Sequence, residues 1–321
     1  MSLMPSDKQP EHFVTLFDSK FLPMGMCLHS SLMENAQPFH LWVLCMDELV
    51  EEQLLRLDLP HVSLISIREV ETPALLKAKK DRSRGEYCWT LTPFTPEMVF
   101  DRAPEAERAT YLDADLFFFS PPTSFFKEFE ESGRQVLITE HAYAPEHRHH
   151  EDLHGRFCVQ FMTFRKTTGG YKVMRHWQQQ CLEWCYARAE DGKFGDQKYL
   201  DIWPKQFHEE VHILLQVNNT LAPWNVLHFS RKLPADHKPV IYHFHALRIV
   251  SPKWVTLFEG YKIGSYGNSL YKYYLNTLRK HINLLRQYQI PVPFIPPHPE
   301  TIALLRYIKR IVCGTMSRAT I

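Results

Sequence analysis

Apolar and polar runs alternate along the first third of the chain in a way that predicts strands and helices in turn. Phe13–Phe17 (FVTLF) is a short apolar run closed by Asp18-Ser19-Lys20, a strand followed by a turn. Leu22–Met33 carries apolar residues at helical spacing, Phe39–Met46 predicts a second strand, Leu49–Leu57 a helix and Val62–Ile67 a third strand. This alternation points to parallel strands joined by crossover helices. Cys88–Phe100 predicts a helix, with Pro93 and Pro96 near its first turn or at a kink. Ala109–Phe119, Val136–Thr139, Phe157–Phe164 and Val240–His245 are further strand candidates. Gly169-Gly170 marks a turn before a helix that runs through Tyr186. Beyond Ser251 helices are expected, chiefly Asn268–Tyr288, then a stiff linker at Pro291–His298. The expected fold class is α/β, a mostly parallel sheet flanked by helices, with a helical C-terminal extension.

Composition narrows the function classes. With 45% hydrophobic and 23% charged residues, the 321-residue chain has an ordinary globular balance and room for one large α/β domain plus an extension. A net charge of +1 supplies no global field to recruit nucleic acid or membrane. Residues 1–11 are polar and expected to be loose. No charged-then-apolar leader opens the sequence, and no apolar run reaches the ~20 residues of a spanning helix. The seven cysteines have mostly apolar neighbours, as buried reduced thiols do. The expected location is therefore cytoplasmic. Thr301–Val312, apolar with Arg306, Lys309 and Arg310, is a candidate amphipathic helix that either touches an anionic membrane or packs on the domain.

Candidate chemistry concentrates at Asp113 and Asp115, which interrupt the apolar run ATYLDADLFFF. Positions two apart on a strand face the same side. Two carboxylates held together near a core repel one another and lose solvation, a cost that a hard divalent cation offsets. Two other features carry charge. Lys77–Arg84 (KAKKDRSR) is either a solvated loop or a loop facing a diphosphate. His141, His147, His149, His150 and His154 lack the spacing of a metal motif and read as a polar loop near a cleft. A phosphatase of the haloacid-dehalogenase type also places Asp-x-Asp after a strand, but Phe117 stands where that class carries Thr.

The run YLDADLFFF resembles the Asp-x-Asp signature of GT-A-fold glycosyltransferases, closest to the glycogenin-like retaining family that includes bacterial lipopolysaccharide galactosyl- and glucosyltransferases. Gly195-Asp196-Gln197 and the late Val240–His245 follow in that family's order. The resemblance implies a Rossmann-like GT-A catalytic domain over residues 12–255, with a helical extension over 256–321. It implies that Asp113 and Asp115 hold Mn²⁺ or Mg²⁺, with Ala114 beside the donor and His243 or His245 as the third ligand. Asp196 and Gln197 would lie at the reacting sugar, and Thr15, Phe17, Asp18 and Gln160 would line the donor site. Arg248, ahead of Lys253, would be the cation for the diphosphate. Trp224 and Asn225 would line the acceptor cleft or pack a turn. The implied reaction moves a hexose from a UDP-sugar, with retention, to a glycan or lipid-linked acceptor in bacterial surface-polysaccharide assembly. The alternative is a nucleotide- or sugar-binding protein that has kept the fold without turnover, favoured by Cys158 and Ala246 standing where the family has Asn and Gly.

Overall fold

Strong apolar runs make the first strands and acidic caps start the helices between them. In the computed structural model, which describes residues 9–234, 236–295, 313–314 and 316–321, β1 (Glu11–Phe17), β2 (Phe39–Cys45) and β3 (Val62–Ser66) are joined by helices Leu22–Asn35 and Glu48–Leu57. The second helix shows why. Asp47 caps it by accepting from Val50 N at 2.8 Å, Glu48 and Glu51 favour its N-terminal end, and Val50, Leu54 and Leu57 bury one face. Next come β4 (Arg108–Leu112), β5 (Leu116–Phe118), β6 (Val136–Glu140), β7 (Phe157–Arg165), β8 (Val211–Ile213), β9 (Thr220–Leu221) and β10 (Ile241–His243). The main sheet has seven strands in the order β3-β2-β1-β4-β7-β6-β8. β3, β2, β1 and β4 run parallel to one another, while β7 runs antiparallel to both β4 and β6. A second sheet has the order β5-β10-β9.

Alternate residues of β1 feed opposite faces. Val14 and Leu16 join Trp177 and Trp203 in one core, whereas Phe13 and Phe17 join Leu28 and Phe126 in the other. β7 is buried from Phe157 through Phe164, which explains its unbroken apolar sequence. A third core forms where Phe117, Tyr242 and Phe244 meet Tyr271, Tyr274 and Leu278 of the helix Gly264–Gln287. Among the described residues no helix is long and apolar enough to cross a membrane.

Several sequence expectations change. Ala109–Phe119 is two strands in two sheets, because Asp113-Ala114-Asp115 turns the chain between β4 and β5. The predicted helix Cys88–Phe100 is two helices, Arg84–Leu91 and Thr95–Arg102, separated by a tight turn at Pro93. The first begins early because Ser83 and Glu86 form a capping box. Gly169 and Gly170 sit inside the first turn of the helix Thr168–Glu183, not before it. That helix ends at Glu183 rather than Tyr186, its last carbonyls at Cys181 and Leu182 being taken by Arg82 at 2.6 and 2.8 Å. The late strand stops at His243. Beyond Ser251 the helix is joined by an antiparallel sheet that the sequence reading did not contain: β11 (Arg248–Ser251), β12 (Trp254–Glu259) and β13 (Met316–Thr320). Thr301–Val312, residues 1–8 and the end of the Pro-rich linker lie outside the described residues.

Two measurements test this packing. A Cβ at Gly170 would collide with the Arg165 carbonyl oxygen, a backbone atom with no room to swing aside. Gly170→Ala is expected to destabilise the fold by about 1–3 kcal/mol, and an unchanged urea midpoint would refute the close approach. The helix Gly264–Gln287 docks on Leu22–Asn35 partly through Ser30 Oγ and His281 Nε2, 2.7 Å apart. Burial, with positive charge at His29 and Lys280, lowers the His281 pKa to about 4. The unfolded chain takes up that proton near pH 6.5 and the folded chain only near 4, so stability falls as pH drops through this window. Melting temperatures from pH 7 to 4.5 should fall less steeply in His281→Gln.

Candidate active site

The end of β4 places the first carboxylate. Asp113 N donates to the Gln160 carbonyl of β7 at 3.0 Å, and Leu116 N closes the following turn on the Asp113 carbonyl at 3.1 Å. β5 then leaves antiparallel to β10, which sets His243 opposite Leu116, while Phe244 N donates to the Asp115 carbonyl at 2.9 Å. A turn, rather than one extended strand, thus brings the two carboxylates to the same side and adds an imidazole. His243 Nε2 lies 3.0 Å from Asp115 Oδ1 and 3.7 Å from Asp113 Oδ2. Tyr111 Oη donates to Asp113 Oδ1 at 3.0 Å.

Burial raises the carboxylate pKa values and the imidazole decides between them. Asp113 is pushed up to about 6 by burial and by the charge of Asp115, against the pull of His243. Burial raises Asp115 as well, but its ion pair and hydrogen bond with His243 hold it well below the usual carboxylate range. His243 is driven down by burial and up by more through Asp115, ending well above the ordinary imidazole value. Ligand atoms of Asp113, Asp115 and His243 all lie within 4.8 Å of one another. Two carboxylates and one imidazole suit a divalent cation such as Mn²⁺ or Mg²⁺.

These residues border a cavity of about 610 Å³, within the range of ligand sites. Of the residues the sequence reading singled out, Phe17, Asp18, Ala114, Asp196, Gln197 and Arg248 also line it. Thr15 and Gln160 do not: they are 0% and 1% exposed inside β1 and β7. His245 faces the cavity but is not among the clustered ligand atoms, since β10 ends at His243 and strand alternation no longer carries the next histidine to the same place. Trp224 lines the cavity, whereas Asn225 packs the turn, donating to the His141 carbonyl at 3.1 Å.

Other positions emerge only in three dimensions. Of the run Lys77–Arg84, Lys77 and Lys79 lie on the helix Pro73–Lys79 and Arg84 alone lines the cavity, its Nε 2.6 Å from Asp18 Oδ2. Gly195 takes φ +53°, a left-handed conformation that lets its backbone lie against the Trp89 ring and presents Asp196. The Asp196 carbonyl accepts from Trp177 Nε1 at 2.8 Å. Its carboxyl is pushed far above the usual value by burial and by the charge of Asp113. Trp89, Tyr111, Tyr143, Phe194 and Tyr261 line the cavity too. Nothing in their sequence setting separates them from core aromatics. The one signal was the neighbouring histidine-rich stretch, whose His141 and His154 reach the wall.

No protein-family model matches the chain. Bacillus subtilis YfnD, itself uncharacterized, is 32% identical over 307 residues, which span 90% of this chain and 97% of its own. The chain belongs to the YfnD family. Among solved structures, the galactosyltransferase LgtC, in complex with donor and acceptor sugar analogs, superposes with a TM-score of 0.53 at 10% identity, over 84% of this chain and 95% of its own. The apo-form glycosyltransferase GlyE of Streptococcus pneumoniae superposes with a TM-score of 0.51 at 13% identity, over 89% of this chain and 65% of its own. This member of the YfnD family therefore has the GT-A fold.

The clustered ligand atoms generate a direct test. Mn²⁺ at about 100 times its dissociation constant should stabilise the wild type by about 2.7 kcal/mol. Asp115→Asn or His243→Ala should lose most of that gain in a thermal-shift titration, and a full gain in both variants would remove the assignment.

Proposed function

We infer that this protein is a metal-dependent glycosyltransferase that moves a hexose from a nucleotide-sugar, UDP-hexose by expectation, to a glycan or lipid-linked acceptor with retention. One observation carries the reading. The Asp113–Asp115–His243 group and the buried carboxyl of Asp196 open into the same cavity. The GT-A fold shared with LgtC, a structure solved with donor and acceptor sugar analogs, supports it.

In this reading Asp113, Asp115 and His243 would hold the divalent ion, which would supply positive charge to a leaving diphosphate. Phe17 and Asp18, at the end of β1, receive the nucleotide. Arg84 braces Asp18 by its ion pair at 2.6 Å. Arg248, stacked 4.7 Å over Phe21 with Nη1 3.9 Å from Asp115 Oδ2, presents a cation toward the diphosphate. Asp196 meets the transferred sugar, held by Trp177 through its carbonyl, and Gln197 anchors the same turn by donating to the His154 carbonyl at 2.7 Å. Whether its carboxyl attacks the anomeric carbon or only orients the sugar, its removal affects the chemical step more than nucleotide binding.

The test is release of nucleoside diphosphate from a panel of nucleotide-sugars with Mn²⁺. Asp196→Asn is expected to lower turnover at least about 100-fold and to retain the thermal shift given by UDP with Mn²⁺. Wild-type turnover in that variant would free Asp196 of its role. A wild type that binds no nucleoside diphosphate at all would sink the reading.

A further inference from the structure

The cavity is chemically divided. Its cationic lining residues, Lys20, Arg84 and Arg248, all gather around the end of β1: Lys20 N bonds Asp18 Oδ1, Arg84 pairs with Asp18, and Arg248 stacks over Phe21. The other side carries none of them. It is a file of rings that starts at the candidate metal ligand, where Trp224 lies edge-on 5.5 Å from His243. From Trp224 the file passes to Tyr143 at 5.8 Å and Tyr261 at 6.3 Å. Beyond Tyr143 the wall continues with His154 and Phe194, 4.7 Å apart, and the His150 ring, which does not itself line the cavity, links Tyr143 to His154 at 5.7 Å from each. Exposure grows along the way: Trp224 and Tyr143 are buried, while Tyr261, His150, His154 and Phe194 are half-buried. Tyr143 and Trp224, with Tyr261 against them, form a small cluster separate from the three large cores, at the cavity wall.

We infer that this ring wall is the acceptor subsite and that it takes the uncharged pyranose end of a glycan; the inference rests on the glycosyltransferase reading above. Aromatic rings offer flat apolar faces to the C–H faces of a sugar ring. Sugar hydroxyls both donate and accept, and a neutral imidazole answers with one N–H and one lone pair. Among the described residues, the His150 and His154 rings spend neither nitrogen on a side-chain hydrogen bond, and the Tyr261 hydroxyl is also free. Burial lowers both histidines, His150 further through His149 and His154 further through His150, which keeps the rings neutral near pH 7. Lys198, the cation beside His154, is already held by Asp201 at 3.0 Å and by the Glu151 carbonyl at 2.8 Å. Among the described lining residues, this side carries no lysine or arginine to receive a phosphorylated or acidic sugar.

The experiment uses the full chain with Mn²⁺ and UDP, and probes lactose, cellobiose and maltotriose against glucose 6-phosphate and glucuronic acid by saturation-transfer NMR and titration. At least one neutral saccharide should bind and the charged sugars should not. Tyr261→Ala should weaken that binding about 3- to 10-fold while the thermal shift with UDP and Mn²⁺ persists. Tyr261→Leu, which keeps bulk without a ring, replaces the alanine variant if that one unfolds, and Tyr261→Phe should keep most of the affinity. No UDP shift in the wild type would mean that the glycosyltransferase reading has failed. A normal UDP shift overturns this inference alone in any of four cases: no neutral saccharide binds, only charged sugars bind, binding is indifferent to the loss of the Tyr261 ring, or Tyr261→Ala abolishes the nucleotide shift.

Discussion

Everything in the site depends on a reversal of the chain between β4 and β5. The hydrogen bond from Leu116 N to the Asp113 carbonyl takes the backbone out of the main sheet and into the second one. Had the apolar run continued as a single strand, Phe117 and Phe118 would extend the main sheet and β10 would have no partner there. Because it turns, β10 lies beside β5 and delivers His243 to the two carboxylates. The fold thus concentrates two negative charges and one imidazole at low exposure, and the mutual compensation seen between His243 and Asp115 follows from that confinement.

The helix Gly264–Gln287 backs this arrangement. Its Tyr271 and Tyr274 pack on Phe244, the residue after His243, with the Tyr274 ring stacked at 3.9 Å. The C-terminal part of the described chain therefore supports the cavity from behind, and β11, which begins at Arg248, contributes a residue to its lining.

Much of this was legible in the sequence, and the boundary between what was and was not has physical causes. The parallel units up to β3 were plain because the strands are short apolar-rich runs, Leu22–Asn35 is apolar enough to be buried, and Glu48–Leu57 has an amphipathic period and a cap at Asp47. Asp113 and Asp115 were conspicuous because carboxylates are costly inside apolar sequence. Asp196 and His243 were reached only through resemblance to a known order of motifs. The aromatic lining was invisible, since Tyr143, Phe194 and Tyr261 look like core residues until the topology places them on an edge. Thr15 and Gln160 sit beside cavity-lining neighbours in sequence, but strand interiors bury them. The antiparallel sheet of β11, β12 and β13 escaped because its strands are short and mixed, and β13 pairs with β12 from more than fifty residues downstream.

The separateness of the ring cluster has an evolutionary meaning. Arg84 belongs to a connected framework: its carboxylate partner Asp47 caps one helix, and Arg82 two residues earlier seals another. Change there propagates into the architecture. The rings around Trp224 belong to no large core, and Tyr261 follows the hairpin strand β12 on a segment without regular structure. A change at half-buried Tyr261 therefore disturbs fewer packed neighbours than a change at Arg84. Under the proposed reading, the half of the cavity assigned to the acceptor is freer to diverge among duplicated chains, while the half assigned to the nucleotide is tied to the stability of the whole domain.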